Sequence, residues 1–166
     1  LCGSKLPDAQ AAYETAHTHN TALLGGVNFM LHSCGWLEGG LVSSFEKFVM
    51  DADQLGALHK LAKGVAIDEN AQALDAIEEV GPGGHYLGCA HTQKNFKEAF
   101  WRSDVLDYKP FETWDEEGAR DTMLLAAKRI EILMQNYQKP DLDLAITEAL
   151  DAYVVQKKAS MPDSFV

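Results

Sequence analysis

The alternation of apolar and polar positions resolves the chain into helices gathered around one strand-length apolar run. From Ala9 to Leu24, apolar residues fall at 12, 13, 16, 23 and 24. Pro7 and Asp8 mark a helix start before them and Gly25-Gly26 a stop after them. Val27 to Leu31 is apolar except for Asn28 and lacks a helical stripe, so it reads as a buried strand. Polar and unusual side chains gather where that run ends: His32, Ser33, Cys34, Gly35, Trp36 and Glu38. Gly39 and Gly40 then free the backbone to turn. Ser43 and Glu46 have the spacing of a capping box. A helix from Ser44 to about Lys63 follows, with the stripe Phe45, Phe48, Val49, Ala52, Leu55, Leu58 and Leu61 predicted to be buried and Gly64 closing it.

Further along, Asp68 is placed to cap a helix from Glu69 to Val80, which Gly81-Pro82 stops. His85 to His91 reads as a brief strand or extended turn, and Thr92 as the cap of a helix running to Trp101. Asp104 to Pro110 is a loop. Glu112 to Tyr137 predicts a long helix weakened at Gly118 and finished by Lys139-Pro140. Asp141 heads a last helix reaching about Lys158, and Ser160 to Val166 is a tail. The pattern predicts an α/β fold in a single domain, 1–166. A lone buried strand must pair with something. The helix-rich β/α units are therefore expected to be the C-terminal part of a larger parallel (β/α)8 barrel, with the last helices packed outside it. A first residue of Leu1 rather than Met fits a fragment of a longer protein.

Composition narrows the partners. At 166 residues and 46% apolar content the chain can bury a core, and its net charge of −11 disfavours nucleic acid, whose phosphates it would repel. No apolar run approaches a membrane span. Three widely spaced cysteines make no disulfide framework, so a reduced, cytoplasmic setting is expected. The signatures of phosphate loops, dinucleotide folds, serine hydrolases and zincins are absent from the sequence, as is the Asp-x-His-x-x-Gly pattern for holding a corrinoid.

Candidate chemistry centres on the loop after the apolar run, because ligands of α/β folds sit at the carboxyl ends of strands. Trp36 and Glu38 suit a quaternary or tertiary ammonium, through cation–π attraction and charge. The plain structural alternative has Trp36 plugging the fold and Glu38 capping the next helix. His85, Cys89 and His91, with His32 and Cys34, have ligand types that suit zinc, but their spacing matches no standard zinc motif. Trp101, Tyr108, Phe111 and Trp114 are expected to pack between helices. The acidic run Asp115 to Glu117 lies at a helix start, where negative charge is favourable.

Several blocks in order carry a family likeness: Ser4-Lys5, Pro7-Asp-Ala-Gln10, Tyr13-Glu14, Gly35-Trp-Leu-Glu-Gly-Gly-Leu41, Ser44-Phe-Glu-Lys47 and Asp51. Val80-Gly-Pro-Gly-Gly-His85, His91-Thr92, Asn95-Phe96, Tyr108 and Phe111-Glu-Thr-Trp114 extend it. Together they resemble the trimethylamine methyltransferase family, over essentially the whole chain but only the C-terminal third of the family's length. The resemblance implies an enzyme that moves a methyl group from a methylated amine to the cobalt of a separate corrinoid protein. The amine is trimethylamine or a quaternary amine such as glycine betaine. Cobalamin would ride on that partner, with no cofactor or metal held directly, and homo-oligomer formation is left open. The family's archaeal trimethylamine enzymes carry pyrrolysine, whereas many bacterial relatives lack it and act on quaternary amines. Trp36, Glu38, His32, His85 and His91 become the expected substrate-binding residues, and no catalytic residue is assigned. Two other readings compete: a non-catalytic acidic helical interaction domain, and a zinc-dependent enzyme using His85, Cys89 and His91.

Overall fold

In the computed structural model, residues 1–161 are described; of the predicted tail, 162–166 lie outside the described residues. Two compact units emerge, Leu1–Met134 and the stretch from Gln135 onward.

The first unit begins with a helix whose cap was readable. Asp8 accepts a hydrogen bond from the Ala11 amide at 3.0 Å and another from Ser4 Oγ at 2.9 Å, and α1 runs Ala9–Leu24. These bonds to its charged form hold the Asp8 carboxyl below its ordinary pKa, the Ala11 amide contributing most. Gly25 ends the helix as the glycine pair implied.

The apolar run then departs from expectation. Val27 to Leu31 is neither strand nor helix. Its side chains face solvent, Phe29 being 78% exposed. A strand exists only by hydrogen bonding to a neighbour, and no neighbouring strand lies beside this run among the described residues. Extended structure appears later and is minimal. β1 (Trp36–Leu37) pairs antiparallel with β2 (Val42–Ser43), Trp36 opposite Ser43 and Leu37 opposite Val42. A 3₁₀ turn, Glu38–Gly40, joins them. The described residues are thus helix-rich with one two-stranded sheet, and the parallel barrel units predicted from the pattern are not formed within them.

Helix α2, Phe45–Ala62, starts where predicted, one residue off the expected capping box. The cap is Ser44, whose Oγ accepts from the Lys47 amide at 3.2 Å and donates to Glu46 at 2.7 Å. Its packing keeps only Leu58 of the predicted stripe fully buried. Lys47, Asp51 and Leu58 are buried, while Phe45, Phe48 and Leu61 are exposed. The polar pair faces α1, the helix against which α2 packs. The aromatic stripe turns to a face that this chain leaves largely open.

The remaining elements are shorter than their periodicity suggests. The helix expected over Glu69–Val80 is two, α3 (Glu69–Gln72) and α4 (Leu74–Val80), divided by Ala73 at φ 51°. Asp68 caps α3 as predicted, accepting from the Ala71 amide. His85 to Cys89 takes the turn form of the two expected there, and α5 (Ala90–Asn95) begins after Cys89, not Thr92, and stops well before Trp101. Phe111–Glu116 forms α6 and Thr122–Gln135 forms α7. They part at Gly118 and Ala119, both at positive φ, so the weak point at Gly118 is a full break. Trp114 stabilises that break by donating from Nε1 to the Arg120 carbonyl at 2.9 Å.

The second unit is dominated by α8, Leu144–Ser160, capped by Asp143 rather than Asp141. Asp143 Oδ1 accepts from the Ala145 amide at 2.8 Å. Among the described residues no helix is long and apolar enough to cross a membrane.

Candidate functional site

The loop between the apolar run and α2 is held from three directions. Cys2, Ala11 and Leu37 form a small buried cluster that ties the N-terminal segment and α1 to β1. Along the N-terminal segment, the Glu38 amide donates to the Ser4 carbonyl and the Gly39 amide to the Cys2 carbonyl, each at 2.8 Å. Cys2 Sγ donates to the Trp36 carbonyl at 3.2 Å. From α2, Asp51 Oδ2 accepts from the Gly35 amide at 2.9 Å. The Gly35 carbonyl in turn accepts from the Ser44 amide at 3.0 Å. Gly35 stands at φ +82°, and a Cβ there would press on Phe48, so only glycine passes comfortably between β1 and α2.

Two residues of this loop adopt left-handed backbone without being glycine: His32 at φ 55° and Glu38 at φ 48°. For an L-residue this conformation costs roughly 1–2 kcal/mol. Glycine or asparagine would relieve it, so backbone geometry does not account for an imidazole and a carboxylate at these positions. The His32 ring meets the Trp36 indole edge-on, with centroids 5.5 Å apart. Glu38 is half-buried, and its carboxylate has no hydrogen-bond or ionic partner among the described residues. Helix α2 is capped by Ser44, which removes the capping role for Glu38. Trp36 also lines an open apolar groove of about 500 Å³ with Phe45, Phe48, Ile130 and Leu133.

The other three predicted residues lie elsewhere. His91, in the first turn of α5, donates from Nε2 to the Asn70 carbonyl at 2.6 Å, joining α5 to α3. Cys89 is buried at the start of α5, its Sγ 3.3 Å from Thr92 Oγ1. His85 is exposed in the preceding turn. The structure therefore joins His32 to Trp36 and His91 to Asn70. Among the described residues, no three His, Cys, Asp or Glu side chains are grouped closely enough to hold a metal ion. The zinc reading of His85, Cys89 and His91 has no geometric basis in this arrangement.

Pattern reading missed the polar cluster behind the loop. Lys47 is 1% exposed and Asp51 5%, and the two form an ion pair through Asp51 Oδ1. Lys47 Nζ also donates to Thr15 Oγ1 of α1 at 2.8 Å. His19, one turn beyond Thr15, is buried beside them, and its Nδ1 has no partner among the described residues. Burial pushes the His19 pKa down, against the opposing pull of the Asp51 carboxylate. Burial likewise pushes the Cys34 thiol up, and Asp51 adds to that shift, so Cys34 is poorly disposed to act as a thiolate. The available signal was a pair of i, i+4 spacings, Thr15 with His19 and Lys47 with Asp51, on two adjacent helices. A charged pair at that spacing normally belongs to a solvated face.

Comparison with known proteins agrees with this arrangement of blocks. The trimethylamine methyltransferase family matches residues 1–162. A glycine betaine methyltransferase of Desulfitobacterium hafniense strain Y51 is 42% identical over 157 residues, 95% of this chain and 33% of that protein. Trimethylamine methyltransferase MttB of Methanosarcina barkeri strain Fusaro is 29% identical over 151 residues, 91% of this chain and 30% of its own length. MttB of Desulfitobacterium hafniense strain DCB-2 is 28% identical over 151 residues, again 91% of this chain and 30% of the relative. The chain thus spans about a third of the length of the curated relatives it matches.

Proposed function

This chain belongs to the trimethylamine methyltransferase family, and on that premise we propose that it is part of a methyltransferase acting on a quaternary amine of the glycine betaine type. The methyl acceptor, the cobalt of a separate corrinoid protein, is a second substrate. The observation that carries the choice of amine is the graded similarity: 42% identity to a glycine betaine methyltransferase against 29% and 28% to the two trimethylamine enzymes.

The loop chemistry supports the same choice. A quaternary ammonium gives up a methyl group with its nitrogen keeping the C–N electron pair, so it departs as a neutral tertiary amine and no proton has to be moved. The protein's task is then to bind the cation and aim one methyl group, and orientation supplies most of the effect. Trp36, steadied by the His32 ring, offers an indole face to which an alkylammonium is attracted. Glu38 offers a carboxylate with no competing partner among the described residues. The reading gives no binding role to His91, whose ring is engaged by Asn70.

The test is a substrate comparison on the protein carrying this chain, supplied with cob(I)alamin. Glycine betaine is expected to yield methylcobalamin and dimethylglycine in equal amounts, and trimethylamine to remain unreacted. Turnover of trimethylamine in preference to glycine betaine, or of neither amine, overturns the reading.

A further inference from the structure

A buried ion pair is seldom the most stable way to fill a helix interface. Removing two charges from water costs several kcal/mol per ion, and apolar residues of similar volume are often as stable or more so. The Lys47–Asp51 pair lies between α1 and α2 with both side chains almost wholly enclosed. Its purpose is better sought in what it holds. Lys47 occupies one carboxylate oxygen of Asp51 and is itself steadied by Thr15. The other oxygen accepts the amide of Gly35, the residue immediately before Trp36. Among the described residues that is the one hydrogen bond of the Gly35 amide, and it crosses from α2 to the loop at its most constrained point, where φ is +82° and Phe48 crowds the backbone.

We propose that Asp51, oriented by Lys47, is a positioning residue that sets where Trp36 and Glu38 stand, and so governs affinity for the ammonium substrate. The inference rests on the proposed role of Trp36 and Glu38. Asp51 is enclosed behind the loop and acts through the Gly35 amide. Its carboxylate fixes the start of β1, the Ser4 and Cys2 carbonyls fix its end, and the residues between inherit their direction from those points.

Two paired substitutions separate positioning from stability in the protein carrying this chain. Lys47→Met with Asp51→Leu replaces the ion pair by apolar groups of similar size and leaves the Gly35 amide without its acceptor. Lys47→Gln with Asp51→Asn removes both charges but keeps a side-chain oxygen for Gly35. The apolar pair is expected to keep a melting temperature at or above the parental value. It should lose hydrogen-exchange protection at the Gly35 amide and raise KM for glycine betaine at least tenfold, with kcat changed less than threefold. The amide pair is expected to retain Gly35 protection and to hold KM within about threefold. A parental KM in the apolar pair, or a tenfold rise in the amide pair despite retained protection, overturns the proposal. Should the apolar pair fail to fold, the amide pair and the single variant Asp51→Asn decide by the same two readouts. Trp36→Leu serves as the control on the underlying reading. A parental KM in that variant sinks the role of Trp36 itself, whereas a raised KM there with a parental KM in the apolar pair sinks only the positioning role of Asp51.

Discussion

At the scale of single residues, Glu38 separates backbone strain from side-chain function. Its left-handed φ of 48° stores strain that glycine would release, roughly 1 kcal/mol or a little more. Glu38→Gly is therefore expected to raise the melting temperature of the protein carrying this chain while weakening glycine betaine binding. Glu38→Gln keeps the shape and the strain, and should leave the melting temperature unchanged while weakening binding by roughly five- to a hundredfold, the worth of about 1–3 kcal/mol for a charge contact. Calorimetric titration beside thermal unfolding reads both; a Gln variant that binds as before would return Glu38 to a purely structural role. His19 gives a pH dependence whose sign follows from its environment. Its folded pKa lies below the ordinary value because burial beside Lys47 disfavours the imidazolium more than Asp51 favours it. Above the unfolded value of about 6.5 both states are neutral and the stability is complete. As pH falls from there towards the folded pKa, the unfolded chain takes up the proton first and stability is lost. His19→Leu should flatten that part of a melting-temperature profile; an unchanged slope between pH 7 and 5 would show that His19 does not set it.

At the scale of elements, helix starts were legible and helix extents were not. Asp68 caps the helix it was read to cap, and Asp8, read with Pro7 as a helix start, caps α1, because a cap needs only a side-chain oxygen within three residues of the amide it serves. Ser43 was displaced by one position in favour of Ser44, and Asp141 by two in favour of Asp143. The long helices broke at Ala73, although alanine is the strongest helix former, and at Gly118-Ala119, where glycine is a weak point; each break is marked by positive φ. Of the aromatic residues expected to pack between helices, Trp101 does so, whereas Tyr108 and Phe111 stand mostly exposed. The Trp101 indole lies on α2 over Gly56, so close that a Cβ at that position would overlap the ring. In an ordinary helix interior, glycine to alanine gains up to about 1 kcal/mol. Gly56→Ala is expected instead to lower the melting temperature by several degrees, as overpacking costs about 1–3 kcal/mol. Gly56→Ala combined with Trp101→Ala should fare better than the sum of the two single changes. Simple additivity in that thermal-unfolding cycle would mean that the indole does not rest on Gly56.

At the scale of the whole molecule, the order of short blocks along the chain was enough to place it in its family, and the match over residues 1–162 agrees. Such blocks are local strings, so they survive in the sequence whether or not the surrounding fold is present. The loop from His32 to Glu38 stood out in the sequence as a candidate site, because a tryptophan, a histidine and a carboxylate gather there between glycines. What the sequence could not decide is which apolar surface would be covered. Val27 to Leu31 has the composition of a buried strand, yet it stands exposed, because a strand is made by a hydrogen-bonding neighbour and not by its own residues. Phe45 and Phe48 form the better apolar stripe of α2, yet Lys47 and Asp51 are the side chains enclosed. Those charges are stable inside because α1 brings Thr15 to one end of the pair and the loop brings the Gly35 amide to the other. Amphipathic spacing ranks each helix face by its own polarity alone, whereas burial depends on which donors and acceptors another element supplies, and that pairing exists only once the chain has folded.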